Sequence, residues 1–276
     1  MRRLAAFVAV AALAGCGGGG SGEANGILSR TAASLGKIRS GDLTLRLVVS
    51  PREGTKGRIG FELHGPFALR RGSLPVARIA YTQIAGPRKG TATFVSTGDH
   101  AYAEVNGKAY ELPASATEQV RSAAAGLGGS GGGLASFDVG SWFDHPRLDG
   151  TEEVGGAETD HVTADLDVVA AANGLLDLVR GLGRDLPRIE GQQAKQLEDA
   201  VESSSIDVWT GKDDRLLRRL LLKADLGLDV PESLRRALGE VVGAEIEFEL
   251  AVAHPNKPVR VTAPPNPLPA SALSGG

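Results

Sequence analysis

The sequence has 276 residues, a formal net charge of −3, one cysteine and 4% aromatic side chains. A lone cysteine excludes an internal disulfide. A mildly acidic balance argues against a nucleic-acid surface, which needs clustered cations, and so few rings leave little for stacking on sugars or single strands.

The chain opens with Arg2 and Arg3, followed by an apolar run from Leu4 to Ala14. That run is shorter than the roughly twenty residues a membrane-spanning helix needs. Charge, apolar run and small residues follow the order of an export signal. Leu13-Ala14-Gly15-Cys16 resembles the bacterial lipobox, in which the thiol receives a diacylglycerol and the leader is cut before it. A thiolate is a suitable nucleophile for a lipid donor, and stable anchoring takes more than one acyl chain. The expectation is a signal peptide over residues 1–15, a lipidated Cys16 with a flexible glycine-rich tether over 16–22, and an anchor rather than a catalyst at Cys16. Loss of the leader would leave 28 basic against 33 acidic residues, a charge of −5.

After the tether, Ile27, Leu28, Thr31, Leu35 and Ile38 recur at helical spacing. The period then changes. Leu43, Leu45, Leu47 and Val49 alternate with other residues, as do Ile59, Phe61 and Leu63, which is the pattern of strands with one apolar face. "VARIAYTQI", "TATFVSTG", "HAYAEV" and "KAYELP" continue the series, the last two joined by the hairpin signal Asn106-Gly107. Connections this short predict an antiparallel meander. A helix is expected from Ala114 to Ala125, then a flexible loop at "GLGGSGGG", and "SWFDHP" is apolar enough to dock.

Strands return at "TEEV" and "TDHVTADL". Helical spacing recurs through Val168, Leu175 and Val179, then through Ala194, Leu197 and Val201. "SIDVWTGKDDRLLRRLLLKADLG" reads as a hairpin turning at Gly211 to Asp214, with Arg219 and Lys223 toward water and Arg218 snorkelling at an edge. Pro231 opens a helix through Leu234, Leu238 and Val241. The last strand alternates cleanly: Ala244, Ile246, Phe248, Leu250 and Val252 against Glu245, Glu247 and Glu249. The Pro-rich end, residues 263–276, reads as extended or disordered.

The expected fold is α+β, a single domain over 23–262. A curved antiparallel sheet, a half-barrel, has one face wetted by the three glutamates, and helices cover its apolar concave face. Catalytic motifs are lacking. There is no Gly-x-Ser-x-Gly elbow, and the glycine run lacks the Gly-Lys-Ser/Thr of a phosphate loop. The five histidines have no metal-ligand spacing, and Asp213 and Asp214 sit in a turn where Asp is common for backbone reasons. No cofactor and no metal are expected. Trp142 and Phe143 could close the mouth of a cavity.

"SGDLTLRLVVS", "LDGTEEVGGAETDHVTADLDV" and "SIDVWTGKDDRLLRRLLLKADL", placed behind a lipobox and a leading helix, resemble the actinobacterial lipoproteins of the mycobacterial glycolipid-carrier type. This is the LppX/LprAFG group, with a LolA-like fold. The matching positions are Gly150, Gly155, Gly156 and His161, then Asp207, Val208, Trp209, Gly211 and Asp213. The resemblance implies an acyl-chain cavity between sheet and helices. The residues themselves supply a matching apolar face, and Ala170, Ala171, Ala172 and Gly174 are small enough to leave room in the cover.

The functional expectation is therefore an exported, lipid-anchored protein at the outer face of the cytoplasmic membrane. It would bind or ferry a lipid or glycolipid, perform no covalent chemistry, and could meet an envelope transporter. Leu45, Leu47, Ile59, Phe61, Ile246, Phe248 and Leu250 would line the cavity. The alternatives are an interaction scaffold that uses the glutamate face, or an accessory ligand-sensing lipoprotein.

Overall fold

Alternation of apolar and polar side chains runs through most strands, and tertiary pairing joins them into one sheet. The structure is a computed structural model that describes residues 20–52, 57–70, 72–85, 88–128, 139–181, 187–227 and 243–273. The leader, Cys16 and the helix expected at 231–241 lie outside the described residues, as does most of the glycine-rich loop.

The first meander comprises β1 (Ser40–Pro51), β2 (Ile59–Ala68), β3 (Val76–Ala85), β4 (Arg88–Thr97), β5 (Ala101–Val105) and β6 (Lys108–Glu111). The second part holds β7 (Phe143–Val154), β8 (Ala157–Leu166), β9 (Val201–Gly211), β10 (Leu217–Leu226) and β11 (Ala244–Ala253). Strand order is β12-β6-β5-β4-β3-β2-β1-β11-β10-β9-β8-β7, where β12 is Leu268–Pro269. The two outer strands do not pair with each other, so the curved sheet stays open, as a half-barrel does. The parts meet along β1 and β11, in register from Asp42 opposite Ala253 to Pro51 opposite Ala244. Asn106 and Gly107 both take positive φ, 51° and 75°, as a tight two-residue hairpin turn requires.

Among the described residues four α-helices accompany the sheet: α1 (Gly20–Ser34), α2 (Ala114–Gly128), α3 (Val168–Gly181) and α4 (Gln192–Ala200). Helix α1 starts inside the segment read as tether. It lies over β7 to β9 and buries Ala24, Ile27 and Leu28 against the apolar face of the sheet. The Thr31 hydroxyl, also buried, donates to the Ile27 carbonyl at 2.9 Å and lies 2.7 Å from the hydroxyl of Thr210. A polar residue in the apolar stripe is thus satisfied within its own helix and across to the sheet.

The turn that follows β11, ahead of the Pro-rich end, is pinned to β1: the Asn256 N–H donates to the Ser40 carbonyl at 2.8 Å, and the Ser40 hydroxyl donates to the Lys257 carbonyl at 2.7 Å. Farther on, β12 pairs in parallel with β6 and occupies that sheet edge, one of the ways proteins keep free backbone groups from pairing with other chains.

On the β9–β10 hairpin, a register shift between Leu217 and Arg219 turns Arg218 inward. Arg218 is buried rather than at an edge, and it donates to Asp214 at 2.6 Å and to the Leu216 carbonyl at 3.2 Å. A bulge places an extra residue, and here that residue reaches the carboxylate of its own turn. Arg219 faces outward as expected and donates to Glu249 at 2.7 Å.

Candidate functional site

Three rows define the apolar face. Leu45 stands opposite Leu63 and Leu250, Leu47 opposite Phe61 and Phe248, and Val49 opposite Ile59 and Ile246. This face behaves differently on its two halves. Beneath α1 and the 3-10 turn at Val139–Trp142 it is a packed core, with Ile206 0%, Leu220 2%, Phe248 3% and Leu250 4% exposed. The void left there measures about 10 Å³ and is lined by Leu28, Thr31, Trp142, Phe143, Phe248 and Leu250 among others. It is about the size that admits one water.

From β1 toward β4 the same face is only half-buried. Leu43, Leu45, Leu47, Ile59, Phe61, Leu63 and Phe94 are all partly accessible. Tyr81, opposite Leu63, is 39% exposed and stacks on Phe61 with ring centroids 6.4 Å apart. Among the described residues no helix packs over this half, which forms an apolar trough beside the packed half. Glycine is obligatory in β2 at Gly60. Gly60, between Ile59 and Phe61, has φ 156°, and a Cβ there would lie 2.0 Å from the Leu47 carbonyl oxygen.

The residues read from the sequence as cavity lining divide between these halves. Leu45, Leu47, Ile59 and Phe61 lie on the half-buried floor, Leu45 and Leu47 at the margin of the packed core. Ile246 sits at the border, half-buried beside Val49 and Ala244. Phe248 and Leu250 lie within the packed core. Trp142, expected at a mouth, is instead 1% exposed and forms the inner wall of the small void with Phe143. The room attributed to small residues of α3 is filled by it. The indole carbon Cζ2 of Trp142 lies 2.5 Å from where a Cβ on Gly174 would be. Leu63 also lies on this face, as its alternation with Ile59 and Phe61 indicated, though it was not named as lining. Tyr81 and Phe94 share the face and were not singled out; their signal was the alternation of "VARIAYTQI" and "TATFVSTG", read for strands but not for which face they shared.

The opposite face is polar and internally paired. Arg46 binds Glu247, and Arg219 binds Glu249 while lying 4.9 Å over the Trp209 ring. The other face of Trp209 stacks on His161 at 4.4 Å and 9°. His161 Nε2 is 3.0 Å from Asp207, its Nδ1 is 3.2 Å from Glu152, and the Trp209 N–H donates to Glu152. His161, Asp207 and Trp209, which carry part of the sequence resemblance, therefore form a clasp across β7, β8 and β9. Among the described residues no three of His, Cys, Asp and Glu are grouped to hold a metal ion. In the β9–β10 turn, burial pushes the Asp214 carboxyl up, but hydrogen bonds from Arg218 and the Leu216 N–H outweigh it and hold the group below the usual carboxylate range. A polar cleft of about 240 Å³ near the β9–β11 ends is lined by Ser203, Ser205, Lys223, Asp225 and Glu245 among others.

No family profile and no curated protein matches this chain. Among solved structures, it is similar to LprF from Mycobacterium bovis, with 13% identity, 89% of this chain and 98% of that chain covered, and a TM-score of 0.46. It is also similar to the lipoprotein LppX from Mycobacterium tuberculosis, with 12% identity, 87% and 99% coverage and a TM-score of 0.39. A LolA superfamily protein from Nitrosomonas europaea follows at 9% identity, 88% and 95% coverage and a TM-score of 0.21.

Proposed function

We propose that this protein is a non-catalytic lipid-binding lipoprotein that holds the acyl chains of a lipid or glycolipid on the open trough of β1 to β4. One observation carries the reading: an apolar floor of Leu45, Leu47, Ile59, Phe61 and Leu63 that the described elements bury only in part. Contiguous apolar surface of this kind on a folded protein marks a binding site more often than chance exposure. Each Å² of it covered by acyl chain gains about 25 cal/mol. In this reading Cys16 carries the lipid anchor, the protein works at the outer face of the cytoplasmic membrane, and an envelope transporter receives or supplies the ligand. The scaffold alternative loses support because Glu247 and Glu249 are already paired with Arg46 and Arg219.

The test is native mass spectrometry of the full chain purified from an actinobacterial host, before and after organic extraction. A bound mass of lipid size, lost on extraction and absent from a Phe61→Asp variant, supports the proposal. A bare mass that persists after incubation with envelope lipids, for both proteins, overturns it.

A further inference from the structure

Three chain segments meet at one corner of the sheet, and all of them carry cations. The segment leaving α1 brings Lys37 and Arg39, the end of β2 brings Arg70, and the turn after β11 brings Lys257 and Arg260. Backbone groups hold the segments together: the Leu69 N–H donates to the Arg39 carbonyl at 2.7 Å, and the Arg39 N–H donates to Asn256 Oδ1 at 2.8 Å. Lys37, Arg70, Lys257 and Arg260 are exposed and make no hydrogen bond or ion pair with a described residue. Two carboxylates stand nearby. Asp42 lies 3.1 Å from His254 Nδ1, and Asp99 follows Gly98, over which the Arg70 guanidinium lies. In the adjoining β9–β10 turn, Asp214 binds Arg218 and Asp213 is exposed. A chain of formal net charge −3 thus gathers a cationic corner.

We infer that this corner is an electrostatic docking surface for anionic lipid headgroups, a second membrane contact besides the anchor. Of the proposed function only the anchor at Cys16 is needed here; the trough is not. Cys16 precedes α1 by four residues in the sequence. The cations stand past the other end of α1, about 22 Å away for a helix of 15 residues. An anchored chain therefore keeps the corner within reach of headgroups at a high effective concentration, and a polybasic patch is a usual complement to an acyl anchor. The side chains suit a surface rather than one compact ligand. They are long and solvated, they come from three segments, and neither cavity described above lies between them. A single bound anion would need converging, partly buried donors. Contact at both ends lays α1 along the membrane.

The experiment uses the acylated protein in vesicles of phosphatidylcholine, alone or mixed with phosphatidylglycerol. A dye on Thr262→Cys, beside the cations, or on Ser203→Cys, at the opposite end of the sheet, transfers energy to a rhodamine-labelled headgroup. The expected result is a rise in transfer from position 262 in the phosphatidylglycerol vesicles alone, abolished by high salt. Lys37→Gln with Lys257→Gln and Arg260→Gln should lower the docked-to-undocked ratio roughly a hundredfold, about fivefold for each cation. These sites are exposed and unpaired, and an unchanged melting temperature confirms an intact fold. Equal transfer on both kinds of vesicle, or an equal rise at both dyes, overturns the inference. So does a phosphatidylglycerol effect that the triple variant keeps. A corner that ignores phosphatidylglycerol but cross-links through Lys257 to an envelope protein also overturns it, and assigns the cations to an acidic protein partner. The trough reading stands or falls on its own mass measurement, whichever of these results is found.

Discussion

Trp142 and Gly174 give the sharpest test of how the covered half of the sheet is built. In an isolated helix, Gly174→Ala would gain about 1 kcal/mol from propensity. Here the new methyl would stand 2.5 Å from Trp142 Cζ2 and 2.9 Å from Cε2, distances that packed carbons do not adopt. The indole is 1% exposed, and the void beside it, about 10 Å³, is too small to take a displaced ring. Overpacking of this kind costs about 1–3 kcal/mol, so the expected net effect is a loss of about 1 kcal/mol. In a Trp142→Phe background, which itself opens a cavity and costs about 2 kcal/mol, the same Gly174→Ala change should become neutral or stabilising. The cycle then has a coupling energy near 2 kcal/mol, within the range for side chains in contact. Urea denaturation of the full chain followed by far-ultraviolet circular dichroism reads all four proteins without relying on tryptophan emission. Equal stabilisation by Gly174→Ala in both backgrounds would refute the packing argument and return α3 to the looser cover read from the sequence.

Asp214→Asn should lower stability slightly at neutral pH, by less than about 1 kcal/mol because the group is accessible to water. The folded carboxyl lies below its ordinary 3.8, so its contribution is present above that value and fades as pH falls through the folded one. Denaturation midpoints of both proteins between pH 7 and pH 2 should therefore converge at the acid end. Gly60→Ala should cost about 2 kcal/mol or more, since both its φ and the Leu47 carbonyl oppose a Cβ, and a melting curve within a degree of the parent would contradict this. Cys16→Ser should move the protein from the membrane to the soluble fraction on cell fractionation and remove the diacylglyceryl mass. Unchanged membrane retention would point to a second anchor.

Much of the fold is legible because its information is local. Ala244 to Val252 alternates so regularly that strand, inward face and wet face all follow from period two. Asn106-Gly107 names its own turn. The helical stripe of Ile27, Leu28, Thr31 and Leu35 could be read without any partner. The bulge at Arg218 could not, because a register shift is a property of two strands and the sequence presents only one at a time.

The candidate site was half legible for a related reason. Alternation identified Leu45, Leu47, Ile59 and Phe61 as one apolar face, and the same alternation identified Phe248 and Leu250. Periodicity assigns a residue to a face but carries no information about what lies over it. Whether a face is covered depends on where α1 comes to rest, and it rests on β7 to β9. The sequence by itself therefore determined the strands, their two faces and the sites of tight turns, each fixed within a few neighbouring residues. Only the tertiary structure decided that Trp142 fills the space at Gly174, and that the apolar face is packed on one half and open on the other. Those outcomes depend on which distant elements meet, and volume and coverage exist only after they have met.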